Sequence, residues 1–147
     1  MMTAVEQQFQ SRADRHSNDE RIALRTYATV GLGNALAAGD PVATAPTFGT
    51  INLLIAIAGT LSDEALLEGI AIVTEAKARF LFEQKVRSGI SGAIATGTGT
   101  DCVTILSLGV GDAIPNVGKH TMAGSLIALS VMDAMAKSLA LRRGASR

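Results

Sequence analysis

Tryptophan is absent from this chain, and one tyrosine with four phenylalanines brings the aromatic share of its 147 residues to only 3%. A platform that stacks nucleobases is therefore not expected. Net charge is lacking too. Thirteen basic and thirteen acidic residues cancel, which leaves no basic stripe of the kind a nucleic-acid binder needs. The single cysteine, Cys102, excludes an intrachain disulfide and suits a reducing compartment. His16 and His120 are the only histidines, so no zinc spacing exists and neither a metal nor another cofactor is expected. The phosphate-loop pattern GxxxxGK[ST] and the nucleophile elbow GxSxG are both missing. Long apolar runs are missing as well. Ile51 to Ala58 is short, and Met122 to Ala136 is interrupted by Gly124, Ser125, Ser130 and Asp133. Both fall below the roughly 20 residues of a membrane span. The first twenty residues are polar and charged, unlike a signal peptide. These absences describe a soluble, cytoplasmic protein that meets neither nucleic acid nor membrane.

What is present is a core of small and branched aliphatics. Hydrophobic residues make up 48% of the chain and the mean hydropathy is +0.31, enough for one domain over residues 1–147 that buries most of its apolar surface. Thr3 to Arg15 is polar and reads as a short helix, ended by Ser17-Asn18-Asp19. Ile22 to Val30 has the loose alternation of a strand, and Gly31-Leu32-Gly33-Asn34 breaks it. Ala37 to Thr47, with two prolines, is a loop, and Phe48 to Ala58 is a strand buried on both faces. A long helix follows, capped by Ser62 or Thr60, with Asp63 and Glu64 at its positive end. Its face is Leu66, Ile70, Val73, Lys77, Phe80 and Leu81, and Ser88-Gly89 stops it. Cys102 to Leu108 is a third strand. Thr121 to Leu141 is a last helix with Met122, Leu126, Leu129, Met132, Met135 and Leu139 as its stripe. The fold class is α/β or α+β: a sheet of few strands packed with two long helices. Three strands are few for this length, so completion by oligomerisation, most simply as a two-fold dimer, is expected.

The residues that carry chemistry concentrate in two polar, glycine-rich segments between apolar ones. Gly97-Thr98-Gly99-Thr100-Asp101 precedes the third strand, and Gly118-Lys119-His120-Thr121 opens the last helix. Five consecutive glycine, threonine and aspartate residues exceed what a turn requires. Glycines let backbone N–H groups approach a ligand, and threonines and aspartate add hydroxyls and a carboxylate. His120, at a helix start, is a neutral base or hydrogen-bond partner, or simply a residue bonded to backbone. Catalytic candidates are Asp101, His120, Thr98 and Thr100. Candidates for binding are Gly97, Gly99, Lys119, Asn34, Asn52 and Glu75, with no metal. Asn34 and Asn52 sit where caps, or a substrate amide, would use them; Glu75 and Lys77 interrupt an apolar helix course, either as a solvated face or to reach toward the loop. Gly31-Leu32-Gly33-Asn34-Ala35-Leu36 starts like a dinucleotide fingerprint, but Leu36 stands at the third glycine. Convergence of Asp101 and His120 in one cleft is the geometric expectation.

Taken in order, these segments resemble a known family. The series Thr29 to Ala35, Gly49-Thr50-Ile51-Asn52, Thr74-Glu75-Ala76-Lys77, Ala95 to Asp101 and Gly118 to Thr121 is similar to the adenosylcobinamide amidohydrolases of the CbiZ type, with the match beginning partway into the family's domain, so that the N-terminal part is lacking. The resemblance implies hydrolysis of the amide that joins the aminopropanol arm to the corrin ring of adenosylcobinamide. Adenosylcobyric acid would return to cobalamin synthesis by salvage, and a corrinoid would be the partner. In that chemistry Asp101 or His120 handles the proton. Gly97 and Gly99 N–H groups with the Thr98 and Thr100 hydroxyls stabilise charge, and Lys119 and Glu75 come second. The other reading is a non-catalytic corrinoid-binding or assembly protein that keeps the cleft.

Overall fold

The computed structural model describes residues 5–19, 21–42 and 48–145. The start of the expected first helix and the 43–47 part of the expected loop lie outside these residues. Eight strands and two helices follow one another: β1 (Ser11–His16), β2 (Ala23–Val30), β3 (Ala35–Leu36), β4 (Ile51–Ala58), β5 (Thr60–Leu61), α1 (Asp63–Glu83), β6 (Gly97–Thr98), β7 (Cys102–Ser107), β8 (Ala113–Ile114) and α2 (Met122–Ala145). The main sheet has the order β1-β2-β4-β7. β1 and β2 pair antiparallel, as do β2 and β4, whereas β4 and β7 run parallel with α1 as the crossover. The fold is α+β: a mixed sheet carrying two helices. Two-stranded ribbons, β3 with β6 and β5 with β8, flank the ends of the sheet.

The N-terminal segment departs from expectation. After a 3-10 turn at Gln7–Phe9, Ser11–His16 is a strand, not a helix. Its alternation of Ser11 and Ala13 inward with Arg12 and Asp14 outward is a period-2 pattern in a polar sequence, and small inward residues hide such a pattern from a hydropathy reading. The sheet therefore has four strands rather than three, although the joining of copies to complete it is not thereby shown.

One face of the sheet is the core. Ile51, Leu53, Ile55 and Ile57 of β4 and Val30 of β2 are 0% exposed beneath the helices, and each such side chain contributes about 1.5–3 kcal/mol by leaving water. The opposite side of β4, expected to be buried equally, is half-buried at Leu54, Ala56 and Ala58, because no helix covers it. α2 lies on β1 and β2 while α1 lies on β7, and the two helices pack against each other.

The expected stripes hold in the main: Val73, Lys77, Phe80 and Leu81 of α1 and Leu126, Met135 and Leu139 of α2 are buried, with exceptions. On α2, Met122 and Leu129 are exposed, while Ala123, Gly124, Ser130, Ala134 and Ser138 are buried. Small residues bring the helix close enough for hydroxyls to bond across the interface. Thr26 Oγ1 and Ser130 Oγ are 2.7 Å apart, Ser11 Oγ donates to Ala134 O at 2.5 Å, and Ser138 Oγ accepts from Val30 N at 3.0 Å. On α1, Ile70 is exposed and Lys77 buried. Ser62 is the cap, accepting from Ala65 N. The helix ends at Glu83, before the expected Ser88-Gly89, where Lys85 takes a left-handed φ of 54°. α2 runs beyond Leu141 to Ala145. It is the one described helix long and apolar enough to cross a bilayer, although 50% of its apolar window is buried inside the fold.

Candidate functional site

The parallel pair β4 and β7 begins at one end of the sheet, and there Gly97–Asp101 meets the Gly31–Asn34 break and Gly49. Gly97 and Thr98 form β6, which pairs with Leu36 and Ala35 of β3, so the segment is half ribbon and half turn. Asp101 organises the turn. Its Oδ1 accepts from Thr98 Oγ1 at 2.5 Å and from Ile51 N at 3.2 Å. Its Oδ2 accepts from Thr98 N at 3.1 Å and from Lys77 Nζ at 2.5 Å. The Lys77 and Asp101 side chains are 9% and 13% exposed, so this is a nearly buried ion pair. A lysine on the apolar face of α1, i+4 from Val73, was the sequence signal for it.

A side chain would crowd this cluster at two glycines. A Cβ on Gly97 would fall against the Asp101 carboxylate and within 2.9 Å of Lys77 Nζ. One on Gly99 would stand 2.6 Å from Asn34 Nδ2. The Gly31–Asn34 break is thus a wall of the site. Asn34 O accepts from Gly99 N at 3.2 Å, and Asn34 Oδ1 is buried with no hydrogen-bond partner among the described residues. Thr50, given no site role from the sequence, shares a short hydroxyl contact with Thr100 Oγ1, which also donates to Gly49 O at 3.2 Å. Asn52 follows on β4 and is buried.

The structure therefore gathers Gly97, Thr98, Gly99, Thr100, Asp101 and Asn34 with Asn52 close by, brings Lys77 of the two helix interruptions to the loop, and adds Thr50. It does not bring Glu75, Lys119 or His120 to them. Lys119 Nζ donates to Glu75 Oε2 at 2.7 Å on the exposed side of α1. Glu75 and Lys77 are two residues apart and so point about 200° from each other around the helix. α1, about 10–12 Å across, stands between the Asp101 cluster and Lys119. His120 is exposed, bonded to neither Asp101 nor Glu75, beside a turn in which Thr121 Oγ1 donates to Gly118 O at 2.9 Å and accepts from Gly124 N at 3.0 Å. No hydrogen bond joins Asp101 to His120, and Leu108–Val117, which separates β7 from α2, runs through β8 beside β5. A separate cleft of about 530 Å³ lies there, between Ser17, Asp19 and Ile22 on one side and the start of α2 on the other.

One expected role also changes. The Gly99 N–H, assigned to an oxyanion, is already spent on Asn34 O, and the Thr98 N–H on Asp101. The side-chain amide of Asn34, above Gly99, is the polar group that faces the turn without a described hydrogen bond. Among the described residues no three His, Cys, Asp or Glu side chains gather as a metal site.

Compared with known families, residues 1–147 match the one described as adenosylcobinamide amidohydrolase. An uncharacterised protein of Methanocaldococcus jannaschii is 34% identical over 92 residues, a stretch covering 62% of this chain and 36% of that protein. The match thus spans about a third of that relative's length. No solved structure matches the chain.

Proposed function

Because this chain belongs to the adenosylcobinamide amidohydrolase family, we propose that it hydrolyses the amide between the corrin ring of adenosylcobinamide and its aminopropanol arm. The products are adenosylcobyric acid and aminopropanol. The observation that carries the reading is the linked series Thr98 Oγ1, Asp101 and Lys77, with 2.5 Å at each step. A hydroxyl on a carboxylate that is itself oriented by a third group is the arrangement of an activated nucleophile. In this reading Thr98 Oγ1 attacks the carbonyl carbon while Asp101 takes its proton. The amide C–N bond breaks as that proton passes to the leaving nitrogen, and a Thr98 ester remains. Water, deprotonated by Asp101, then releases the acid and restores Thr98. Lys77 holds the carboxylate in place, and the Asn34 amide is the donor for the developing oxyanion. His120, Lys119 and Glu75 take part in none of these steps.

The second reading, a chain that binds corrinoid without turnover, is favoured by a specific observation: each Asp101 oxygen already accepts two hydrogen bonds. Incubation with adenosylcobinamide and mass analysis of the products decides between them. Cleavage by wild type, falling about 10²–10⁴-fold in Thr98→Ala and in Asp101→Asn, is the expected result. Intact substrate under all conditions, together with a rise in melting temperature on adding corrinoid, leaves the binding reading standing. Cleavage by Thr98→Ala at the wild-type rate removes Thr98 from the chemistry.

A further inference from the structure

We infer that the uncovered face of the sheet beside the Gly97–Asp101 turn seats the carboxamide side arms at the rim of the corrinoid, an inference that rests on the function proposed above. A groove of about 360 Å³ lies there, lined by Gln7, Gln10, Tyr27, Thr29, Asn52 and Leu54. None of these side chains carries a full charge. A charged arm entering the groove loses water and gains no counter-charge. A neutral primary carboxamide both donates and accepts, and so matches glutamine, asparagine and threonine. Tyr27 and Leu54 supply an apolar floor for the carbon skeleton.

Two observations point to a ligand. Thr29 Oγ1 is buried with no hydrogen-bond partner among the described residues, an arrangement folded proteins rarely leave without a reason. Gln7 and Gln10, on the turn ahead of β1, are exposed and spend neither side-chain amide on the fold. Position gives the size of that ligand. Thr29 pairs with Asn52, and Asn52 pairs with Cys102, the residue after Asp101. Two strand spacings put Thr29 about 10 Å from the turn. A short linear amide reaches one or the other. A macrocycle with carboxamides round its rim reaches both at once, with its scissile amide at Thr98 and another arm against Thr29.

The probe is adenosylcobyric acid, which keeps the rim carboxamides and lacks the amide to be cleaved, so binding is read on an active chain without turnover. Calorimetric titration of wild type, Thr29→Val and Gln10→Ala is compared with titration of the same corrinoid after its rim carboxamides have been hydrolysed to carboxylates. Each substitution should weaken binding roughly three- to tenfold, the worth of one hydrogen bond, and the carboxylate form should bind more weakly than the carboxamide form. Thr29→Val removes an unsatisfied hydroxyl, so it should melt no lower than wild type, which separates lost recognition from lost folding. Wild-type affinity in both variants, or no binding to wild type, overturns the inference. Affinity that responds to Thr29→Val in a chain that never cleaves adenosylcobinamide would keep the groove and discard the hydrolase. Cleavage with affinity indifferent to both variants would do the reverse.

Discussion

Lys77 is where one residue governs the whole candidate site. Its ammonium sits 2.5 Å from Asp101 with little water around either partner, and the same carboxylate fastens Thr98 and the start of β4. Removing one member of such a pair leaves the other charge buried and unpaired, a loss of about 3–5 kcal/mol. Lys77→Met should therefore lower unfolding stability by about that amount in a denaturant titration; a change below about 1 kcal/mol would show that water already screens Asp101. The exposed Lys119–Glu75 pair invites the opposite expectation. Lys119→Ala should cost less than about 1 kcal/mol and, with α1 between it and Thr98, should leave turnover close to wild type, as should His120→Ala. A hundredfold loss of turnover in either variant would place that residue in the chemistry and overturn the separation.

At the scale of elements, the two glycines near the ends of α2 should respond with opposite signs. A Cβ on Gly124 would collide with the Val117 and Gly118 carbonyl oxygens, whereas one on Gly144 would meet nothing within 4 Å. Gly124→Ala should thus destabilise by about 1–3 kcal/mol through overpacking. Gly144→Ala should stabilise by up to about 1 kcal/mol through helix propensity. Thermal unfolding of the pair reads both. The turn after β3 has its own acid sensitivity. The Ser88 hydroxyl, then Ser91 and the Ala37 N–H, hold the Asp40 carboxyl below its ordinary value of 3.8. A lowered folded value means stability that is present above the unfolded value and lost as pH falls through the folded one. Wild type should accordingly be more stable than Asp40→Asn near pH 6, and the difference should vanish by about pH 2. A difference that grows on acidification would contradict the assignment.

At the scale of the molecule, both helices share one face of the sheet and none covers the other. β1 and β7 are edge strands, and Leu106 at 43% and Leu108 at 53% exposure lie at the β7 end. We propose that a second copy joins the first, in the two-fold arrangement that most homo-oligomers adopt. Light scattering at micromolar concentration should return twice the mass of one chain, 15.1 kDa. Pairing along the β7 edge leaves the Thr29 groove open to its ligand, and a mass of one chain would overturn the pairing.

Spacing and chemistry by themselves determined most of the elements. The alternation of Ala23–Val30, the apolar run of Ile51–Ala58 and the capped start of α1 at Ser62 follow from local propensity, which is written residue by residue. The glycine, threonine and aspartate of 97–101 likewise marked a candidate site, because few turns need so many. What neighbours decide across the chain was not legible. β1 is a strand because β2 pairs with it and α2 covers its small side chains, not because Ser11–His16 favours one. Lys77 is buried because Asp101, 24 residues on, offers a counter-charge. Lys119 pairs with Glu75 on the exposed side of α1, while Lys77 on the other side takes Asp101. Periodicity specifies which element forms; only packing decides which face of it a residue shares with another.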